Sequence, residues 1–159
     1  MGLNSQGLPY FYIREEKSNA RGIRVHISPD MPRDKKFYNE NFYNIREGSI
    51  LKVDKSDTAV FSDLMTGVYP LVSEKFMKLL HLYNIEIFSK RVALIETESR
   101  KVLTYYLLYT GESYKKSINK DLRIENKGDD IGFIISLDFA ESLIRRNVKG
   151  IEFIEVEEE

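Results

Sequence analysis

A chain of 159 residues fits one domain of ordinary size, large enough to fold without disulfides or metals. Its 24 Lys and Arg against 25 Asp and Glu give a formal net charge of -1, without the basic excess by which dedicated nucleic-acid binders displace counterions. There is no cysteine, which removes disulfides, thiolate nucleophiles, Fe–S clusters and cysteine zinc sites, and fits a reducing, cytoplasmic setting.

Residues 1–9 read as a frayed start, with neither the basic nor the apolar region of a signal peptide. No apolar run approaches the ~20 residues of a membrane span. Tyr10–Ile13 is a short β-prone run, and the polar stretch Glu15–Gly22 reads as a turn or hairpin loop. Gly22–Ile27 alternates apolar and polar as a half-buried strand does, and Ser28-Pro29-Asp30-Met31-Pro32 breaks it. Arg33–Gly48 reads as a loop or irregular short helix, Ser49–Asp54 as a strand, and Asp57–Thr66 as a loop with one helical turn.

Ser73 then caps a helix whose Phe76, Leu79, Leu80 and Tyr83 form one stripe, with Glu74 near its positive end. Ile85–Phe88 is expected to start a strand and Val92–Glu96 to continue extended. Val102–Tyr109, β-branched and aromatic throughout, is the strongest strand signal. Gly111–Asp130 is polar, with a short strand at Leu122–Ile124 and a turn at Gly128-Asp129-Asp130. Ile131–Ile135 leads into a second helix capped by Ser136, with Phe139, Ala140, Leu143 and Ile144 as its apolar face. Ile151, Phe153 and Ile154 lie in a final strand, and residues 155–159 form an acidic tail. The whole is a single α+β domain, mostly antiparallel sheet with two main amphipathic helices.

One similarity is internal. Val72-Ser73-x-x-Phe76-x3-Leu80-x3-Asn84-Ile85 matches Ile135-Ser136-x-x-Phe139-x3-Leu143-x3-Asn147-Val148 at an offset of 63. A cap, helix, turn and strand are used twice. A duplicated unit and convergence on the same helix chemistry both account for the match.

Chemistry-bearing motifs are sparse. His26 and His81 have neither a paired histidine spacing nor an H-E-x-x-H motif and read as surface residues. No phosphate-cradling glycine motif or nucleophile elbow occurs. Asp30 with Asp34-Lys35-Lys36, or with Glu125-Asn126-Lys127, is the nearest approach to a metal-nuclease arrangement, but the first pair is too close in sequence and the second too far away. Glu96 and Glu98 would share one face of a strand and read as solvated. No catalytic, cofactor or metal residue is assigned. The tripeptide Phe-Tyr-Asn occurs twice within eight residues, and Phe37, Tyr38, Phe42 and Tyr43 among lysines and asparagines are candidate partner-binding residues. The alternative is that these rings cover a sheet face.

From about Phe61 onward the chain resembles a known family. Phe61-Ser62-Asp63, Pro70-Leu71-Val72-Ser73-Glu74-Lys75, Ile85–Phe88, Tyr105-Tyr106-Leu107-Leu108 and Ile135-Ser136-x6-Leu143-x6-Gly150-Ile151-Glu152-Phe153 carry the likeness. Together they resemble the immunity proteins of bacterial polymorphic toxin systems, in a group long described only as a domain of unknown function. The second unit departs from that pattern, reading Ser136-Leu137-Asp138 where the family has Ser-Glu, and the first sixty residues match nothing. The resemblance implies an α+β fold and a cytoplasmic protein that occludes a cognate toxin without chemistry of its own. It needs no cofactor and leaves homo-oligomerisation open. The alternatives are a small metal-dependent nuclease or a nucleic-acid-binding domain.

Overall fold

The computed structural model describes residues 7–29, 31, 35–111, 120–127 and 130–156, and leaves the side chains of 35–37, 126, 127 and 130 undescribed. Its elements run β1 Tyr10–Glu15, α1 Lys17–Ala20, β2 Ile23–Val25, α2 Lys35–Glu40, a 3-10 turn Phe42–Asn44, β3 Ser49–Lys55, β4 Leu64–Met65, β5 Leu71–Ser73, α3 Glu74–Leu82, β6 Ser89–Glu96, β7 Val102–Leu108, β8 Leu122–Lys127, β9 Asp130–Ser136, α4 Leu137–Arg145 and β10 Ile151–Glu155. They form a four-stranded sheet ordered β10-β1-β9-β8 and a six-stranded sheet ordered β2-β3-β6-β7-β5-β4. Every pairing is antiparallel except β3 with β6.

The two Ser-capped segments are the same structural unit. In each, a hairpin (β4–β5 or β8–β9) ends on the serine, a helix follows, and the chain returns as β6 or β10. A further strand sits between hairpin and return, so β4-β5-β7-β6 corresponds to β8-β9-β1-β10. The inserted strand follows its unit in the chain for β7 and precedes it for β1. The registers agree: Val72 faces Leu64 and Tyr106, as Ile135 faces Leu122 and Phe11.

The sequence explains this equivalence bond by bond. Ser73 Oγ accepts from Phe76 N at 3.1 Å and Ser136 Oγ from Phe139 N at 3.1 Å. Each cap satisfies an otherwise orphaned helix donor, a contribution of about 1 kcal/mol. Each hydroxyl in turn donates to an aspartate that precedes the hairpin, Asp63 at 2.5 Å and Asp121 at 2.7 Å. Both helices close on an asparagine in the left-handed region, Asn84 at φ 54 and Asn147 at φ 55. Equivalent residues of the two units meet: the Phe76 and Phe139 rings lie edge to face at 6.1 Å.

These helices, the four-stranded sheet and the β4–β5–β7 end of the six-stranded sheet share one core, including Ile13, Leu64, Val72, Phe76, Leu80, Phe133, Phe139 and Leu143. That shared core makes the chain one compact α+β domain. A second core (Val25, Tyr38, Phe42, Leu51, Val53, Tyr69, Leu94, Tyr105) lies against the opposite face of the six-stranded sheet.

Several local expectations are corrected. Glu15–Gly22 is not a hairpin loop: it contains α1, and β1 and β2 belong to different sheets. Ile85–Phe88 is not a strand, because the Ile85 amide donates back to Leu80 O at 2.9 Å and its side chain is buried in the first core. Asp57–Thr66 holds no helical turn but ends in β4. Ile144 is 62% exposed, since the stripe Phe139, Ala140 and Leu143 already takes the core side of α4. Glu98 lies in the turn after β6, so it does not share a strand face with Glu96. Gly128, Asp129 and the tail residues 157–159 lie outside the described residues, as do Asp30 and Asp34.

Candidate functional site

The double tripeptide forms α2 and the 3-10 turn, laid across the second core. Tyr38 and Phe42 are buried, which corrects their assignment as partner-binding residues. The Tyr38 hydroxyl donates to Leu108 O at 2.8 Å. Burial, and after it the neighbouring Tyr69, holds that phenol well above its usual pKa, so it stays a neutral donor. Its ring meets Phe42 edge-on at 5.7 Å and lies 6.1 Å from Tyr69. Asn39 fixes the same segment to the end of β7, its Oδ1 accepting from Thr110 N and Oγ1, both at 3.3 Å. Phe37 has no described side chain.

Tyr43 behaves differently. One residue past buried Phe42, it points outward and is 61% exposed. It joins Phe88, itself 44% exposed, at 5.4 Å and Tyr109 at 6.0 Å. Phe88 and Tyr109 complete the triangle at 6.3 Å, and Phe42 supports it from beneath, 5.9 Å from Tyr43 and 5.5 Å from Tyr109. Mostly edge-to-face, such pairs are worth about 0.5–1.5 kcal/mol each beyond simple burial. The exposed rings are therefore held by a rigid base. Lys90 Nζ reaches Tyr43 O at 3.4 Å, placing a cation at the rim.

Phe88 and Tyr109 are the residues that sequence reasoning missed. Tyr109 N donates to Phe88 O at 2.9 Å, continuing the β6–β7 ladder outward and bringing the rings together. The only sequence signal was parity, since Phe88 falls on the same alternate positions as inward-facing Val92 and Leu94.

A second polar cluster lies at the far end of β3 and β6. His26 Nε2 and Asp54 Oδ2 are 2.7 Å apart, and Thr97 Oγ1 donates to Asp54 Oδ1. These bonds, that of Thr97 first, hold the Asp54 carboxyl below its usual pKa. Hydroxyl and imidazole both bond the carboxylate, so neither activates the other as in a nucleophilic triad. A groove of about 640 Å³ beside them is lined by interleaved Arg21, Arg24 and Lys55 with Asp54, Asp57, Glu96 and Glu98. His26 is thus half-buried and bonded, more than an ordinary surface residue. Among the described residues no three His, Asp or Glu side chains converge as metal ligands, and no helix is long and apolar enough to cross a membrane. No family model matches the chain, nor does any curated protein or solved structure.

Proposed function

We propose that this chain is an immunity protein: it works in the cytoplasm by capturing a cognate bacterial toxin and covering that toxin's active surface, with no chemistry of its own. The observation that carries the reading is the exposed Tyr43–Phe88–Tyr109 cluster on its buried Phe42 base. Tyrosine and phenylalanine on a rigid scaffold give large contact area at little entropic cost, the character of an interface hot spot. The likeness of Pro70–Lys75 and Ile135–Phe153 to immunity proteins supports the same reading. Co-expression with the polypeptide encoded by the adjacent reading frame tests it. A stable complex on size exclusion and restored growth of cells making that polypeptide are expected; full toxicity with no complex would contradict it.

A further inference from the structure

The six-stranded sheet is covered on both faces only at its β4–β5–β7 end, where α3 packs against β5 and β7. Over β2, β3, β6 and the start of β7, the described residues of the face turned away from the second core are exposed or half-buried. Two rows cross it in register: Ile50, Ala93 and Thr104, then Lys52, Ile95 and Val102. Arg91 lies opposite Tyr106, and Arg24 opposite Asp54. Ile50 is 59% and Val102 60% exposed. Single exposed aliphatic residues are ordinary; here Ile50 and Val102 stand diagonally across half-buried Ala93 and Ile95 and with them make one aliphatic centre on the face.

Its charge says what covers it. Arg24, Lys52 and Arg91 are all exposed on this face. The acid among them, Asp54, already binds His26 through one oxygen and Thr97 through the other. Other acids, Glu47, Asp57, Glu96 and Glu98, stand at its borders, among Arg21, Arg46, Lys55, Arg100 and Lys101. The face is therefore cationic in a chain of formal net charge -1.

The face is also continuous with the aromatic patch. Tyr43 lies on the other side of the sheet, and the short bend Arg46–Gly48 carries the chain from it to β3. That bend is pinned to the edge of the open face, Gly48 N donating to Arg91 O at 2.8 Å and Arg91 N to Glu47 Oε2 at 2.9 Å. A partner that straddles the bend touches Tyr43 and Phe88 on one side and Ile50 and Arg91 on the other.

We propose that the open β2–β3–β6–β7 face docks a carboxylate-bearing surface of the same captured polypeptide, an inference that rests on the capture reading above. A protein fits better than a nucleic acid, because the centre of the face is aliphatic and its one ring, Tyr106, packs partly into the first core rather than standing out to stack on a base. Aliphatic centre and cationic rim match the usual anatomy of an interface, with the charges steering encounter.

The test uses the full chain, titrated by calorimetry against the polypeptide of the adjacent reading frame at low and high salt, and in parallel against a DNA duplex. Lys52→Glu with Arg91→Glu should weaken polypeptide binding about tenfold or more and flatten its salt dependence, with the melting point unchanged. Ile50→Ser should weaken binding and leave the salt dependence intact. Wild-type binding that ignores the double reversal overturns this inference and leaves capture standing. A wild-type chain that does not bind overturns both. Duplex binding abolished by the double reversal would assign the face to nucleic acid and overturn the proposal.

Discussion

The two Ser-capped units use one set of bonds under different loads. Around Ser73 and Ser136 the pattern is the same: each serine amide donates to the carbonyl of its aspartate at 3.0 Å, each hydroxyl to that aspartate's Oδ1, and each hydroxyl accepts the third helix amide. The aspartates differ. Asp63 is buried, and its second oxygen accepts Lys149 N at 2.6 Å from the exit of α4, while its own amide donates to Lys149 O at 2.9 Å. The first unit's cap is thereby also the joint to the second unit. Gly150 makes this approach feasible, since it adopts φ +72 and a side chain there would run into Ser62. Asp121, half-buried, holds the capping serine of its own unit's helix through Ser136 Oγ. A local code can thus be copied faithfully while one copy takes on a tertiary role.

The largest effects should fall equally on the two units. Leu80 and Leu143 are equivalent and fully buried, so Leu80→Ala and Leu143→Ala should each cost about 2–5 kcal/mol in urea unfolding. A marginal loss at one position with a large loss at the other would break the equivalence. The aspartates should separate. Asp63→Ala leaves the buried Ser73 hydroxyl and the part-buried Lys149 amide without their acceptor, at roughly 1–3 kcal/mol for the buried hydroxyl with a further loss at the amide, whereas Asp121→Ala should cost about 1 kcal/mol. Equal losses would show that the joint to Lys149 carries nothing. Ser73→Ala and Ser136→Ala should each remove about 1 kcal/mol, the worth of a cap.

A pH series sharpens the contrast where β1, the second unit's inserted strand, touches the first. Glu15 is buried, and its Oε1 accepts Thr66 N at 2.8 Å in the β4–β5 turn. Burial raises its pKa above 4.5, against the opposing bonds from Thr66 and Gly67. The unfolded chain therefore ionises first as pH rises. The folded state carries no penalty below the unfolded pKa and the full penalty above its own raised value. Glu15→Gln keeps the acceptor without the charge, so its stability relative to wild type should grow as pH climbs past the ordinary glutamate range. A difference independent of pH would mean the carboxyl is not buried as described.

Much of the repeated unit was legible because its signals are local. The offset of 63, the two serines, the phenylalanines three residues on and the closing asparagines all act within one helix length. The partners of the caps were not, since Asp63 and Asp121 meet their serines only once the hairpins pair. Ile85 misled because an apolar run after a helix looks like a strand, while its amide finishes the helix. The double tripeptide was visible but its facing was not: Tyr38 and Phe42 turn inward and Tyr43 outward, which depends on where the 3-10 turn falls. Phe88 and Tyr109 joined the patch through a strand pairing that no local pattern encodes.

Toxin capture through the aromatic patch is tested most directly at Tyr43, the most exposed of its rings. Tyr43→Ala, which gives up ring contacts at the surface, should lower the melting temperature less than Tyr38→Ala and weaken binding of the adjacent-frame polypeptide by about 30-fold, near 2 kcal/mol, while Tyr38→Ala should leave the affinity of the folded fraction intact. Unchanged affinity in Tyr43→Ala, measured against a wild-type chain that binds, would contradict the account.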